Sequence, residues 1–428
     1  MTTFQLCLGT RYLLVLTARK ILSIRLLLRR RKQVKSIPCF IDISPKNEPS
    51  ARVFLDMSIQ REPLDRFFSI IPAGGIGSRL WPLSRASAPK FLHDLTGSGQ
   101  TLLQDTWDRL TPIAGKDRIL VVTGKVHKAA VLEQIEDLST ENLVLELSPK
   151  DSTAAIALAA AILMQREPDV IIGSFAADHV INEDDQFRAT VIEAVEVAAT
   201  GKIVTIGIEP TEPSVGFGYI KTGEPLGLPK APNARHVVKF VEKPNIAKAR
   251  RYVESGEYLW NAGMFIAPAS VLLEQLAKSE PELHASILEL AAAWDTDGRK
   301  AAFEKTWPKL KKVAIDYSVA EPAAAAGLVA VVPANFTWHD VGDFAAIAEL
   351  QSQGRRGNLA VLGNAKVLAD SSSGILVSDT DRLIALIGVE DIIVVDTPDA
   401  LLVTTKEHAQ RVKSLVDALK ATGHSDVL

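Results

Sequence analysis

The chain has 428 residues, 47% of them hydrophobic and 23% charged, with a formal net charge of −3 and two cysteines. This is enough chain for a large core and more than one domain, with the composition of an ordinary soluble globular protein. Residues 1–65 hold 12 Lys/Arg against 5 Asp/Glu and the remainder 36 against 46, so the body is acidic and offers no broad basic face for nucleic acid.

Both cysteines, Cys7 and Cys39, lie in the basic amino-terminal stretch, which leaves the body without a disulfide framework or a Cys-ligated zinc site and suits a cytoplasmic protein. Residues 4–28 are apolar, but Arg11, Arg19, Lys20 and Arg25 interrupt them. No run reaches the ~18 apolar residues of a membrane span, so no stable membrane insertion is expected. The order of charge, apolar core and cleavage site that marks a signal peptide is also missing. Residues 1–65 are therefore expected to be an extension that is disordered or read from a start upstream of Met57, with a basic amphipathic surface helix as the alternative.

A strand-like run, Phe67-Phe68-Ser69-Ile70-Ile71-Pro72, opens into Ala73-Gly74-Gly75-Ile76-Gly77-Ser78-Arg79-Leu80-Trp81-Pro82-Leu83-Ser84-Arg85 and continues to Pro89-Lys90. Three glycines within four positions let backbone N–H groups turn toward one point, and Arg79, Arg85 and Lys90 can add fixed positive charge there. That is how a chain holds a polyphosphate. It is not a Walker loop, since no Gly-Lys-Ser/Thr closes it, and Leu80 replaces the third glycine of the dinucleotide fingerprint.

After the loop, residues 118–123, 143–147 and 169–173 read as buried strands, and residues 101–110, 126–136, 154–165 and 185–199 as helices. The alternation implies an α/β fold over residues 66–350: a mixed, mostly parallel Rossmann-like sheet flanked by helices. Ligands on such a sheet sit at the carboxyl ends of its strands, where this reading places both the loop and Asp178.

Between two of these elements, Ser148-Pro149-Lys150-Asp151-Ser152-Thr153-Ala154-Ala155 starts a helix that Asp151 or Ser152 can cap. Further on, Ala177-Asp178-His179 follows a buried strand and Trp338-His339-Asp340-Val341-Gly342-Asp343 follows another apolar run. Each aspartate alone could be a turn former. Brought together, two carboxylates make a hard oxygen site for Mg²⁺, which binds through one or two carboxylates plus substrate phosphates. The segments Gly216-Phe217-Gly218-Tyr219, Phe240-Val241-Glu242-Lys243-Pro244 and Trp260-Asn261-Ala262-Gly263 supply glycines and directional acceptors and donors of the kind a sugar needs. Glu242-Lys243 could equally be the charged end of a protected edge strand. Tyr219, Trp260 and Phe265 are read as packing residues.

Gln351-Ser352-Gln353-Gly354-Arg355-Arg356-Gly357-Asn358 reads as a linker into a β-rich domain over residues 351–428. Short strands are expected at 360–362, 366–368, 374–377, 383–387 and 392–395, with a closing helix at 406–420.

The loop resembles that of the sugar-1-phosphate nucleotidyltransferases, and its Trp81-Pro82-Leu83-Ser84-Arg85 segment is most similar to the mannose-1-phosphate guanylyltransferase branch. The resemblance implies a nucleotidyltransferase fold with a small β-helix-like carboxyl-terminal domain. Its implied activity is Mg²⁺-dependent transfer of GMP from GTP to α-D-mannose 1-phosphate, yielding GDP-mannose and pyrophosphate. It places Ala73, Gly74, Gly75, Gly77, Ser78, Arg79, Arg85, Lys90, Thr153 and Asp178 at the nucleotide, and Asp178 and Asp340 at the metal. Gly218, Glu242, Lys243, Asn261 and Asp316 fall at the sugar phosphate. Arg79, Lys90, Lys243 and Asp178 would carry catalysis. Two departures stand out: the Arg-Asn-Thr-Ala-Pro segment beside the base survives only at Thr153 and Ala154, and Asp343-Phe344 replaces the more usual Ser-Trp. The alternatives are a relative using another sugar or base, or a catalytically silent nucleotide-sugar-binding regulator. The chain is too short for the further phosphomannose isomerase domain of some members, so a single activity is expected. A homodimer is among the assemblies the resemblance allows.

Overall fold

The computed structural model describes residues 61–352 and 359–428, together with the backbone of five strands before them. Those strands are β1 (Thr2–Cys7), β2 (Leu13–Ala18), β3 (Arg25–Leu27), β4 (Ser36–Ile43) and β5 (Ala51–Ser58). They make an antiparallel β1–β2 pair and a separate antiparallel β3–β4–β5 sheet. Residues 1–62 and 63–428 are two compact units, and all that follows concerns the second. Residues 353–358 of the linker lie outside the described residues.

The main sheet of the second unit has nine strands. The first four are β6 (Phe67–Ala73), β7 (Ile119–Gly124), β8 (Leu143–Glu146) and β9 (Ile171–Ser174), with the short β10 (His179–Ile181) beyond them. Then come β11 (Ile203–Ile208), β12 (Tyr219–Pro225), β13 (Arg235–Val241), β14 (Tyr258–Pro268) and β15 (Val329–Pro333), followed by the short β16 (Trp338–Asp340). The sheet order is β11-β15-β13-β12-β14-β9-β6-β7-β8. From β9 to β8 every pairing is parallel, as the alternation predicts. The other half is largely antiparallel, because β14 runs against β9, and β12 and β13 run against their neighbours. β13 pairs with β15 only at Arg235 and His236, so residues 237–241 have a strand partner, β12, on one side alone, in keeping with the edge-strand reading.

Helices cover both faces. On one, α1 (Leu102–Ala114) and α3 (Asp184–Ala198) pack through Trp107, Leu110, Phe187 and Val191. The start of α1 is fixed by a reciprocal capping box between Thr101 and Gln104. On the other lies α2 (Asp151–Arg166), whose residues 153–163 are all buried. A helix apolar nearly all round has to be covered on more than one side, and α4 (Ala269–Ser279) and α5 (Pro281–Trp294) share its core. Beyond β16 the chain enters α6 (Phe344–Ser352).

A third core belongs to the carboxyl-terminal domain. Its strands β17 (Leu359–Gly363), β19 (Gly374–Ser378) and β21 (Ile392–Asp396) pair in parallel, as do β18 (Lys366–Asp370) and β20 (Leu383–Ile387). Successive strands that alternate between two stacked parallel ladders form β-helical rungs. An additional strand, β22 (Leu401–Thr405), pairs antiparallel with β21. The expected closing helix is a 3₁₀ stretch, Lys406–Arg411, followed by α7 (Val412–Ala421). Ile375, Ile393 and Val412 of this domain share one buried cluster with Leu80, Trp81 and Leu83 of the glycine-loop segment. Among the described residues no helix is long and apolar enough to cross a membrane.

Candidate active site

The glycine loop leaves the carboxyl end of β6 with Gly75 and Gly77 in the left-handed region, at φ 81° and 72°. Gly77 has a second reason to lack a side chain: a Cβ there would stand 2.8 Å from Lys90 Cβ, so the loop rests directly on the lysine stem. Its carbonyl accepts from Leu80 N at 2.8 Å and from Ser84 Oγ at 2.5 Å, which closes the short Ser78–Leu80 turn. A Cβ on Gly74 or Gly75 would meet nothing within 4 Å, so this part of the loop faces open space. Ala73 is buried at the strand end and its carbonyl accepts from Thr123 Oγ1. Arg79 is exposed on the loop and has no partner among the described residues.

Asp178 lies between β9 and β10, and Asp340 ends β16. The two short strands pair antiparallel with His179 opposite Asp340, which brings the aspartates together from distant parts of the chain. Lys90 joins them: its Nζ is 2.7 Å from Asp178 Oδ2 and 3.6 Å from Asp340 Oδ1, and donates to the Val341 carbonyl at 3.2 Å. Burial alone would push the Lys90 ammonium down, but the two carboxylates outweigh it and hold its pKa above the usual lysine value. Burial likewise works against the charged form of Asp178, and Lys90 and His179 overcome it, so this carboxyl stays below the ordinary range.

The two carboxylates face one shared ammonium. The donor set suits a hard divalent ion completed by substrate phosphate oxygens. Among the described residues no cluster of three or more His, Cys, Asp and Glu offers a complete protein cage. His179 turns its ring edge-on to Trp338 at 5.4 Å.

The residues expected at the sugar phosphate lie on the same edge of the sheet. Because β14 is antiparallel to β9 with Phe265 opposite Ser174, Asn261 falls beyond the carboxyl end of β9. Tyr219 pairs with both Trp260 and Val241, so Gly218, Glu242 and Asn261 converge. A Cβ on Gly218 would stand 2.5 Å from Glu242 Oε2. Glu242 is buried, pairs through Oε1 with Lys243 Nζ at 3.1 Å, and leaves Oε2 without a hydrogen-bond partner. Burial, aided by the nearby Asp316 carboxylate and only partly offset by Lys243, pushes its pKa to about 7. Asp316, at the start of the π-helical turn Asp316–Ala320, is also raised by burial. Its Oδ1 accepts from Asn261 Nδ2 at 2.8 Å.

Three expected contacts are placed differently. Arg85 turns away from the loop to the carboxyl-terminal domain, where Asp399 Oδ1 accepts from it at 2.8 Å. Thr153 is fully buried, and its hydroxyl is shared with Ser318 at 2.8 Å. Asn261 is buried, with its amide oxygen taken by Thr205 Oγ1 and Gly263 N, so it braces Asp316. Tyr219, Trp260 and Phe265 are buried as packing residues. Asp343 also has a structural role: its Oδ1 accepts from the N–H groups of Ala345 and Ala346 at the start of α6, and Phe344 is fully buried.

Residues 68–356 match the model of a family described as nucleotidyl transferase, and residues 364–419 match that of a MannoseP isomerase/GMP-like beta-helix domain. The chain belongs to the nucleotidyl transferase family. It is 36% identical to an Escherichia coli K12 protein named mannose-1-phosphate guanylyltransferase, over 84% of this chain and 75% of that one. It is 38% identical to the xanthan biosynthesis protein XanB of Xanthomonas campestris, over 83% and 74%. A solved Thermus thermophilus structure titled mannose-1-phosphate geranyltransferase superposes with a TM-score of 0.73 at 29% identity, covering 83% of this chain and 99% of that one.

In this family member one further group stands at the carboxyl end of the parallel strands. Glu146 ends β8 opposite Gly124, is buried, and has an Oε1 without a hydrogen-bond partner. Burial, with Asp151 beside it, pushes its pKa to about 7. In the sequence it is one acid at the end of an apolar run, and only its lack of a partner while buried sets it apart.

Proposed function

We propose that the chain transfers GMP from GTP to α-D-mannose 1-phosphate, forming GDP-mannose and releasing pyrophosphate. The observation that carries this reading is the placement of the Asp178–Lys90–Asp340 cluster and its glycine loop on the same sheet edge as the Gly218–Glu242–Lys243 pocket. A polyphosphate site and a sugar-phosphate site on one edge suit a reaction between those two ligands. The E. coli relative's name supplies the sugar and the base.

Loop N–H groups from Gly74 to Ser78, with Arg79 and Lys90, hold the triphosphate. Lys243 orients the sugar phosphate so that its oxygen attacks the α-phosphorus in line with the departing pyrophosphate, and Glu242 accepts hydrogen bonds from sugar hydroxyls. No protein nucleophile is needed, and catalysis rests on positioning and charge neutralisation. Mg²⁺, held by Asp178 and Asp340, would neutralise charge on the phosphates. Glu146 supports the choice of base: β8 lies two strands from β6, about 10 Å at the usual strand spacing, which is the reach of a nucleoside. Its carboxylate can accept from the adjacent N1–H and N2–H donors of guanine, a pair that adenine lacks. The cytoplasm is the compartment in which we place the reaction.

The test is initial pyrophosphate release with four nucleotides and with mannose or glucose 1-phosphate at fixed Mg²⁺. GTP with mannose 1-phosphate should be best, with mannose ahead of glucose by about tenfold or more, the cost of one buried group left unsatisfied. A preference for another base or for glucose 1-phosphate would overturn the substrate assignment.

A further inference from the structure

The cation expected at the triphosphate, Arg85, is instead gripped by the carboxyl-terminal domain. Its guanidinium donates to the Val427 carbonyl, to Asp399 Oδ1 at 2.8 Å and to Thr397 Oγ1 at 3.4 Å. Trp81 Nε1 donates to the same Val427 carbonyl at 2.6 Å, and the Arg85 guanidinium lies 5.7 Å from the Trp81 ring centroid. Arg85 is only 13% exposed, so these bonds are partly shielded from water. At its other end the same short segment is tied to the glycine loop. Ser84, the residue before Arg85, donates through its backbone to the Leu80 carbonyl at 2.9 Å and through its hydroxyl to the Gly77 carbonyl. Gly77 in turn rests on the stem of Lys90. A continuous run of contacts therefore leads from Asp399 through Arg85 and Ser84 to Gly77 and the Asp178–Lys90–Asp340 cluster.

We propose that Trp81 and Arg85 are positioning residues through which the carboxyl-terminal β-domain sets the conformation of the phosphate loop, so that this domain governs nucleotide affinity without touching the nucleotide. The inference rests on the glycine loop being the triphosphate site. Two cations facing one anion would repel each other and be satisfied by ligand alone. Arg85 has instead a carboxylate, a hydroxyl and a carbonyl of its own, arranged for a permanent structural bond.

The test uses the full chain with Asp399→Ala and, separately, Trp81→Phe, which keeps an aromatic ring in the core and deletes the indole N–H. Each should raise the nucleotide KM by about fivefold or more, the scale of a modest coupling between sites, while the sugar-phosphate KM moves much less. Asp399→Glu should restore part of the loss. A folded Asp399→Ala or Trp81→Phe protein with a lower Tm and an unchanged nucleotide KM would make the contact a mere brace. A parallel rise in both KM values would mean general loosening, and either result overturns the inference. Gly77→Ala separates this from the reading beneath it. If Gly77→Ala leaves the nucleotide KM unchanged, the loop is not the triphosphate site. If Gly77→Ala raises it and the Asp399 and Trp81 variants do not, only the present inference fails.

Discussion

At the glycine-loop end of the sheet edge, Asp178 and Asp340 share the ammonium of Lys90, and at Asp178 burial is outweighed by attraction. On the sugar side, Glu242 and Asp316 are buried near each other, Lys243 is half exposed, and burial wins, so both carboxyls are raised. On the proposed function, the difference follows from what each half would bind. A triphosphate brings its own negative charge, so the protein must supply cations and cannot leave carboxylates unneutralised beside it. A sugar brings neutral hydroxyls, and a buried acceptor kept short of partners gains most when such a donor arrives.

The sharpest way to break the phosphate half is Asp178→Asn or Asp340→Asn. Each amide keeps the volume and removes the charge that Lys90 and a divalent cation share. Pyrophosphate release should fall by on the order of 100-fold or more, the scale of lost electrostatic stabilisation at a phosphoryl centre. Near-normal turnover at limiting Mg²⁺ would remove that residue from the cation site. Circular dichroism should show the fold retained.

Much of this half was legible in the chain. The glycine spacing, the strand before it and the helix–strand alternation that follows are local patterns, and the structure places β6 to β9 where those patterns point. The aspartates were legible as a pair only through the family resemblance, because their meeting depends on β10 pairing with β16 across a large sequence separation. Arg85 shows the limit. It stands in the same loop segment as Arg79, and nothing local distinguishes them, since the partners that turn it away, Asp399 and Val427, lie far along the chain. The antiparallel half was hidden for a related reason: strand runs give burial, whereas direction is set by long connections. β22 was missed because its apolar run, Leu401-Leu402-Val403, passes through two threonines directly into the helix signal.

The sugar half can be broken by one methyl group. Gly218→Ala would place a Cβ 2.5 Å from Glu242 Oε2 and displace the carboxylate from its pocket. The sugar-phosphate KM should rise by about tenfold, the cost of one misplaced buried hydrogen bond, with the nucleotide KM nearly unchanged. Equal changes in the two constants would mean that the halves are not separable. A milder test uses pH. With a pKa of about 7, Glu242 is mostly protonated at pH 6 and mostly ionised at pH 8, and the ionised form is the stronger acceptor. The sugar-phosphate KM should therefore fall several-fold as pH rises through about 7. The substrate's own phosphate ionises near 6, so the comparison is with Glu242→Gln, in which the part of the profile centred on 7 should vanish. An unchanged profile in that variant would assign the dependence to the substrate.

The smallest effect concerns Glu146, which stands on the phosphate side of the sheet yet shares the sugar side's condition. Its carboxyl is raised to about 7 by burial, against 4.5 for the ordinary group. Between those two values the folded state binds a proton that the unfolded state has released. The stabilising contribution is thus fully present below about 4.5 and lost as pH rises through about 7. At pH 8 the fold carries a buried, incompletely bonded carboxylate. Glu146→Gln removes that charge and should raise Tm by about 1–2 °C at pH 8, as expected for roughly 1 kcal/mol in a unit of this size, with the gain shrinking toward pH 5. If Glu146 reads guanine, the same variant should lose preference for GTP over ATP while becoming more stable. A stable variant with undiminished guanine preference would leave Glu146 as an acid buried for no purpose in base selection. A variant that is no more stable at pH 8 would show that the carboxylate has a partner in solution.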